Sequence, residues 1–169
     1  EHFKENQVQS LFDNCYRVLK KDGILRVICP DADLYIQAFL RNDISFFTYR
    51  HGNYYVENKI QNSIKDLFLE NFIPLDLSKK ISSEQIILDI KKQGVYETLN
   101  KYCEQTKYFY DKSNFHISWY NYKKIKLMLE KSGFNIIYKS GYGQSVYPKL
   151  RNKTFFDNSG PSISVYVEA

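Results

Sequence analysis

The chain has 169 residues, 43% of them hydrophobic, which suits one domain of ordinary size with material for a real core and excludes a disordered chain. Lys and Arg number 24 against 19 Asp and Glu, and a net charge of +5 spread over so large a surface demands neither a nucleic-acid nor a membrane partner. Cys15, Cys29 and Cys103 are odd in number and hold no C-x-x-C, so neither a disulfide framework nor a zinc knuckle is supported and a reducing cytosol fits.

The chain opens at Glu1-His2-Phe3, without a Met or a loose polar lead-in, as if in the middle of something. From Val8 the apolar positions run Val8, Leu11, Phe12, Cys15, Val18 and Leu19, the spacing of one helix face. Lys20 and Lys21 suit its negative end, and Gly23 is expected to supply the left-handed residue that stops it. Residues 24–29 are short, β-branched and apolar on both faces, then closed by Pro30, as in an interior strand of a sheet covered on both sides. Helix, tight turn and buried strand together form an α/β signature.

Asp31 can cap a second helix carrying Leu34, Tyr35, Ala38 and Phe39. Residues 42–115 hold no credible strand pair and read as a helical insertion. Val56, Ile60, Ile64, Leu67 and Phe68 recur at helical spacing. Ser82 with Gln85 makes a capping box ahead of Ile86, Ile87 and Ile90, and Val95, Leu99, Tyr102 and Cys103 form a further run. Pro74 and Gly94 punctuate the stretch. Asn121 is the expected N-cap of a helix through Ile125, Met128 and Leu129 that ends at Gly133. Residues 134–139 then read as a strand, Gly141-Tyr142-Gly143 as a turn, and 163–168, with alternating Ile163, Val165 and Val167, as a terminal strand. No apolar run approaches the roughly 18 residues a membrane span needs, and no signal peptide is evident, so a cytoplasmic location is expected.

The passage from Cys15 through Arg17-Val18-Leu19-Lys20-Lys21-Asp22-Gly23 and the strand to Pro30-Asp31 resembles the "RVLKPGG-strand-PD" stretch of class I S-adenosylmethionine-dependent methyltransferases. Glu1-His2 is similar to the "EH" ahead of it. Tyr120-Asn121-Tyr122, Leu129-Glu130-Lys131-Ser132-Gly133-Phe134 and the closing Ser164-Val165-Tyr166-Val167-Glu168-Ala169 resemble the last helix and final strands of the same enzymes, nearest to small ones associated with surface-polysaccharide genes. The resemblance implies a partial Rossmann-like sheet made of the family's fifth, sixth and seventh strands, with the last strand antiparallel between the other two. It also implies methyl transfer to a small-molecule or sugar acceptor, with S-adenosylmethionine as cofactor of the complete enzyme. The family's glycine-rich turn and its acidic partner for the cofactor have no counterpart here. The chain is thus expected to be a C-terminal portion that binds cofactor weakly or not at all alone; the alternative is a non-catalytic interaction module on the same scaffold.

The resemblance places Glu1 and His2 at the cofactor mouth, with His2 as a candidate catalytic contact; a surface histidine at a frayed terminus is the other reading. His116, with Trp119 and Tyr120, falls where acceptor-side residues are expected, His116 as a second catalytic candidate, or else covers a sheet edge. Asp31 lies where open α/β sheets bind ligands, at the C-terminal end of a strand, and Tyr35 follows it as a further candidate for the acceptor. No metal site is expected, because His2, His51 and His116 have no ligand spacing with one another or with the cysteines. The scarce arginines Arg17, Arg26, Arg41, Arg50 and Arg151 mark positions where lysine would not serve, and Arg17 is expected to pair with an acid on a neighbouring element. The unmatched edge of strand 24–29 predicts a homo-oligomer.

Overall fold

The computed structural model describes residues 1–48, 63–106, 115–157 and 160–169. Val56 and Ile60, with Arg50 and His51, lie outside the described residues. The chain is mixed α/β and divides into two compact units. One comprises Glu1–Lys4 and Ala32–Trp119, the other Glu5–Asp31 and Tyr120–Ala169.

The second unit holds the sheet. Helix α1 (Glu5–Val18) leads to β1 (Arg26–Pro30); α7 (Tyr122–Ser132), β2 (Tyr138–Ser140) and β3 (Ser164–Glu168) follow later in the chain. The sheet order is β1-β3-β2, with β3 antiparallel to both neighbours, as expected for 24–29, 134–139 and 163–168. Paired amides of Leu25 and Ala169 extend the β1–β3 ladder by one rung. One face is apolar: Cys29, Val165 and Val167 pack on Phe12 of α1 and on Ile125, Met128 and Leu129 of α7, whose 3.6-residue spacing stacks them on one stripe. The other face carries Arg26, Glu168 and Tyr138 in one cross-strand row, so strand β1 is not apolar on both sides. A pleated strand turns alternate residues to opposite faces, and Arg26 falls opposite to Val27.

The helix boundaries follow their local chemistry. Asn121 caps α7 by accepting from the Lys124 amide at 2.8 Å, and Gly133 ends it at φ 105°. The turn after α1 is made differently from the expectation: Asp22, at φ 63°, takes the left-handed conformation, while Gly23 is needed because a Cβ there would meet the Lys20 carbonyl at 2.9 Å. Leu11 and Val18 are exposed, so the α1 stripe is narrower than its spacing suggested. Arg17 contacts Asn14 of its own helix at 3.1 Å, where an acid on another element was expected. Strand β2 starts late, at Tyr138, and Ile136 before it is 79% exposed.

The first unit is helical in its described elements: α2 (Ala32–Leu40), α3 (Ile64–Leu69), α4 (Leu75–Ser78), α5 (Ser83–Gln93) and α6 (Val95–Glu104). Phe39 stacks on Phe68 at 4.4 Å, and Phe68 meets Phe72 edge-on at 5.2 Å. Ser82 caps α5 through the Gln85 amide, but the Gln85 side chain turns to Asp89 instead of closing the expected box. Asp89 is buried and also accepts from Tyr102 at 2.7 Å and Lys101 at 2.8 Å, which satisfies a carboxylate inside the α5–α6 hairpin; Ile87 points outward. The short segment Glu1–Lys4 runs along residues 117–118: Ile117 donates to the Glu1 carbonyl and Ser118 to that of Phe3. Lys4 then places its ammonium on the last turn of α6, donating to the carbonyls of Cys103 and Thr106 at 2.8 and 2.7 Å, where the helix dipole is negative.

Candidate functional site

The strap of residues 1–4 brings together three of the expected site residues. Glu1, His2 and His116 each offer a ligand atom, and these atoms lie within 4.8 Å of one another. The missing ligand spacing in sequence therefore says nothing about space: 114 residues separate His2 from His116, and the strap closes that gap. His2 Nδ1 sits 3.1 Å from the Phe115 carbonyl and His116 Nδ1 sits 2.8 Å from the Asn71 carbonyl. A carbonyl can only accept, so each Nδ1 carries the proton and Nε2 carries the lone pair in the neutral ring. Both Nε2 atoms face Glu1 Oε1, at 3.7 and 3.8 Å. The rings meet edge to face, 4.9 Å between centroids and inclined by 71°.

The other expected residues are placed elsewhere. Tyr35 is fully enclosed among Phe46, Phe47 and Phe72, as a core ring of the first unit. Trp119 stacks on Tyr96 at 5.2 Å and donates to Asn100 at 2.9 Å, while Tyr96 hydroxyl donates to Asp33. Tyr120 belongs to the apolar core of the other unit, with the Lys124 ammonium 5.3 Å from its ring centre. Asp31 follows the last residue of β1, is buried, gives its amide to Ile163, and has Lys139 Nζ 3.6 Å from Oδ2. Cys29 and Cys103 are buried and Cys15 is half-buried, which leaves no exposed thiol among the three.

The strongest charge constellation escaped the sequence. Arg26 clasps Asp157 with Nε and Nη2, at 2.9 and 2.5 Å, and binds Glu168 through Nη1. Nη2 also donates to the Gly141 carbonyl, and the guanidinium lies 5.1 Å from the Tyr166 ring centre. The three charged side chains are 4%, 1% and 0% exposed. Burial alone would raise the Asp157 carboxyl, but the Arg26 guanidinium and the Gly143 amide outweigh it and hold the pKa below the ordinary value. For Glu168 burial is likewise opposed by hydrogen bonds from Tyr138, Ser145, the Val146 amide and Arg26, and the pKa is lowered. Burial and the Glu168 carboxylate together push the Tyr138 hydroxyl up to about 12. The only foreshadowing was the scarcity of arginine; partners 131 and 142 residues away leave no local trace.

The turn at Gly141-Tyr142-Gly143 also belongs to this network. Gly143, at φ 64°, donates its amide to Asp157 at 2.9 Å. Its N–H is committed to a protein carboxylate, so this turn serves as a sheet connection. A cleft of about 630 Å³ in the same unit is lined by Tyr16, Leu19, Gly23, Phe134 and Ala169, beside the start of β1.

Among the described residues no helix is long and apolar enough to cross a membrane. No family model, curated protein or solved structure matches the chain.

Proposed function

We propose that residues 1–169 are the C-terminal part of a class I S-adenosylmethionine-dependent methyltransferase acting on a small-molecule or sugar acceptor. One observation carries the reading: β3 is inserted between β1 and β2 and runs antiparallel to both, the arrangement implied by the resemblance of both chain ends to that family. A strand from the far end of the chain between two others is a specific topology, because sequence neighbours usually pair first.

On this reading the chain supplies acceptor-side groups. Methyl transfer depends chiefly on holding a nucleophile in line with the methyl group, and a base is needed only when the acceptor must lose a proton. His2 and His116 suit that role, since each is oriented by a backbone carbonyl and presents Nε2 as its basic atom. The Gly143 amide is committed to Asp157, and no step is derived through the cofactor.

The test is calorimetry with S-adenosylhomocysteine on two proteins: this chain, and the same chain extended by the coding sequence ahead of Glu1. Micromolar binding by the extended protein, with little or none by residues 1–169, is the expected pair of results. An upstream sequence without a strand and glycine-rich turn, or an extended protein that ignores the ligand, would favour an interaction module instead.

A further inference from the structure

Glu1, His2 and His116 gather two imidazoles around one carboxylate, within ion-pair range but beyond direct hydrogen bonding. At 3.7 and 3.8 Å, neither Nε2 is within hydrogen-bond distance of Glu1 Oε1, whose ordinary range ends near 3.2 Å. One ligand atom from each of the three side chains lies within 4.8 Å of the other two. Ligands about 2.0–2.2 Å from a tetrahedral ion stand about 3.3 Å apart, so an ion would draw the two imidazoles in towards Glu1 by roughly half an ångström each and bring the two rings closer to one another.

The surroundings add a second, independent observation. Metal-bound histidines give the opposite ring nitrogen to a carbonyl or carboxylate, which fixes the tautomer and aims the ligand atom. Both rings do so here, through carbonyls from two separate stretches, Phe115 and Asn71. The rings meet edge to face and are not stacked. Side-chain exposures of 38% for His2, 22% for Glu1 and 17% for His116 leave all three partly open to solvent.

We propose that Glu1, His2 and His116 form a binding site for a divalent transition-metal ion with open coordination positions. Two nitrogen donors disfavour calcium and magnesium, which take oxygen ligands, and suit zinc or ferrous iron. The site stands on residues of one compact unit and does not rest on the methyltransferase reading, although an ion there would occupy the same Nε2 lone pairs that reading uses as bases, so the two roles belong to different states of the site.

Zn²⁺ titrated into the purified 169-residue chain, followed by calorimetry, tests the proposal. One saturable site is expected, weakened by more than the about 10- to 100-fold that loss of an outer-shell partner costs when Glu1→Gln or His116→Ala removes a direct ligand. Glu1 starts the chain and leaves every core untouched, so that variant reports on binding even if His116→Ala folds poorly. Substituting Co²⁺ should give visible d–d bands without thiolate charge transfer. Binding that survives His116→Ala would mean that the terminal amine and His2 chelate the ion alone, and a thiolate band would mean that cysteine holds it; either result, or no saturable binding, overturns the site. Cofactor binding is not among these readouts, so failure here leaves the methyltransferase reading to its own experiment.

Discussion

At the scale of single residues, Arg26 shows how a side chain is selected by geometry. Its fork grips Asp157 bidentately while the third nitrogen reaches Glu168, three contacts in one plane that a lysine ammonium cannot reproduce. Arg26→Met should therefore cost roughly 3–5 kcal/mol in a urea unfolding experiment, because two buried carboxylates lose their cation. A protein that unfolds at the wild-type midpoint would show that water or rearrangement replaces the cation. The same cluster sets a pH window. Asp157 and Glu168 ionise below their ordinary values, so their contribution is fully present above about pH 4 and is lost as pH falls through the lowered folded values. Tyr138 works in the opposite direction: with its pKa raised to about 12, its contribution is complete below about pH 10 and fades as pH rises towards 12. Urea midpoints should thus fall on both sides of a neutral plateau, and Arg26→Met should flatten the acid limb. None of these pairings was legible, since strand register brings Glu168 and Tyr138 beside Arg26 and a distant loop brings Asp157. The Glu1, His2 and His116 cluster was half legible: each residue stood out, but their convergence depends on a strap whose hydrogen bonds are backbone to backbone at Ile117 and side chain to backbone at Ser118.

At the scale of elements, caps and stops were the most readable features because they are local chemistry. Asn121 and Ser82 cap as expected, and Gly133 stops α7 in the left-handed region. Gly133→Ala should be costly for two reasons: φ is 105°, and the added Cβ would lie 2.9 Å from the Tyr16 ring. A loss of about 1–3 kcal/mol by thermal denaturation is expected, and a loss below about 0.5 kcal/mol would mean that the Tyr16 ring swings away freely. The stop of α1 misled because both Asp22 and Gly23 are plausible turn residues; which one goes left-handed depends on the approach of Gly23 to the Lys20 carbonyl, a three-dimensional constraint. Side-chain faces were less readable than ends. Ile87 is outside and Asp89 inside because a hairpin partner, with Lys101 and Tyr102, makes burial of the carboxylate tolerable. Lys4 is the matching case at a helix end. Lys4→Met should destabilise the first unit by about 1–2 kcal/mol, read from the denaturation midpoint, since three acceptors at the α6 terminus lose a charged donor. An unchanged midpoint would show that water serves these carbonyls equally well.

At the scale of the molecule, the expected sheet order is present but its cover is not symmetrical. The helices α1 and α7 lie on the apolar face, while the polar row of Arg26, Glu168 and Tyr138 is met by residues 141–157. A resemblance at the two chain ends made this topology readable, whereas the middle could be read only as helical. Among the described residues β1 pairs with β3 alone, so its second edge has no strand on it. Pro30 weakens that edge as a template, yet Leu11 and Val18 on α1 remain exposed. We propose association of two chains through the β1 edge or the adjoining α1 face. Sedimentation at tens of micromolar should show a dimer or larger species, reduced to monomer by Val18→Glu; a wild-type monomer would rule the association out.

The pairing of β1 with β3 also dictates an order of events during synthesis. Pro30, the last residue of β1, emerges 138 residues ahead of Glu168, the last of β3. At about 5–20 residues per second, roughly 7–30 s pass before the central strand exists. Through that interval β1 lacks β3 and the core that β3 completes, while the residues of the helical unit have already been made. From the emergence of β1 until β3 follows, the growing chain therefore carries a strand with one apolar face uncovered, and its yield should depend on chaperone capacity more than the stability of the finished fold would suggest.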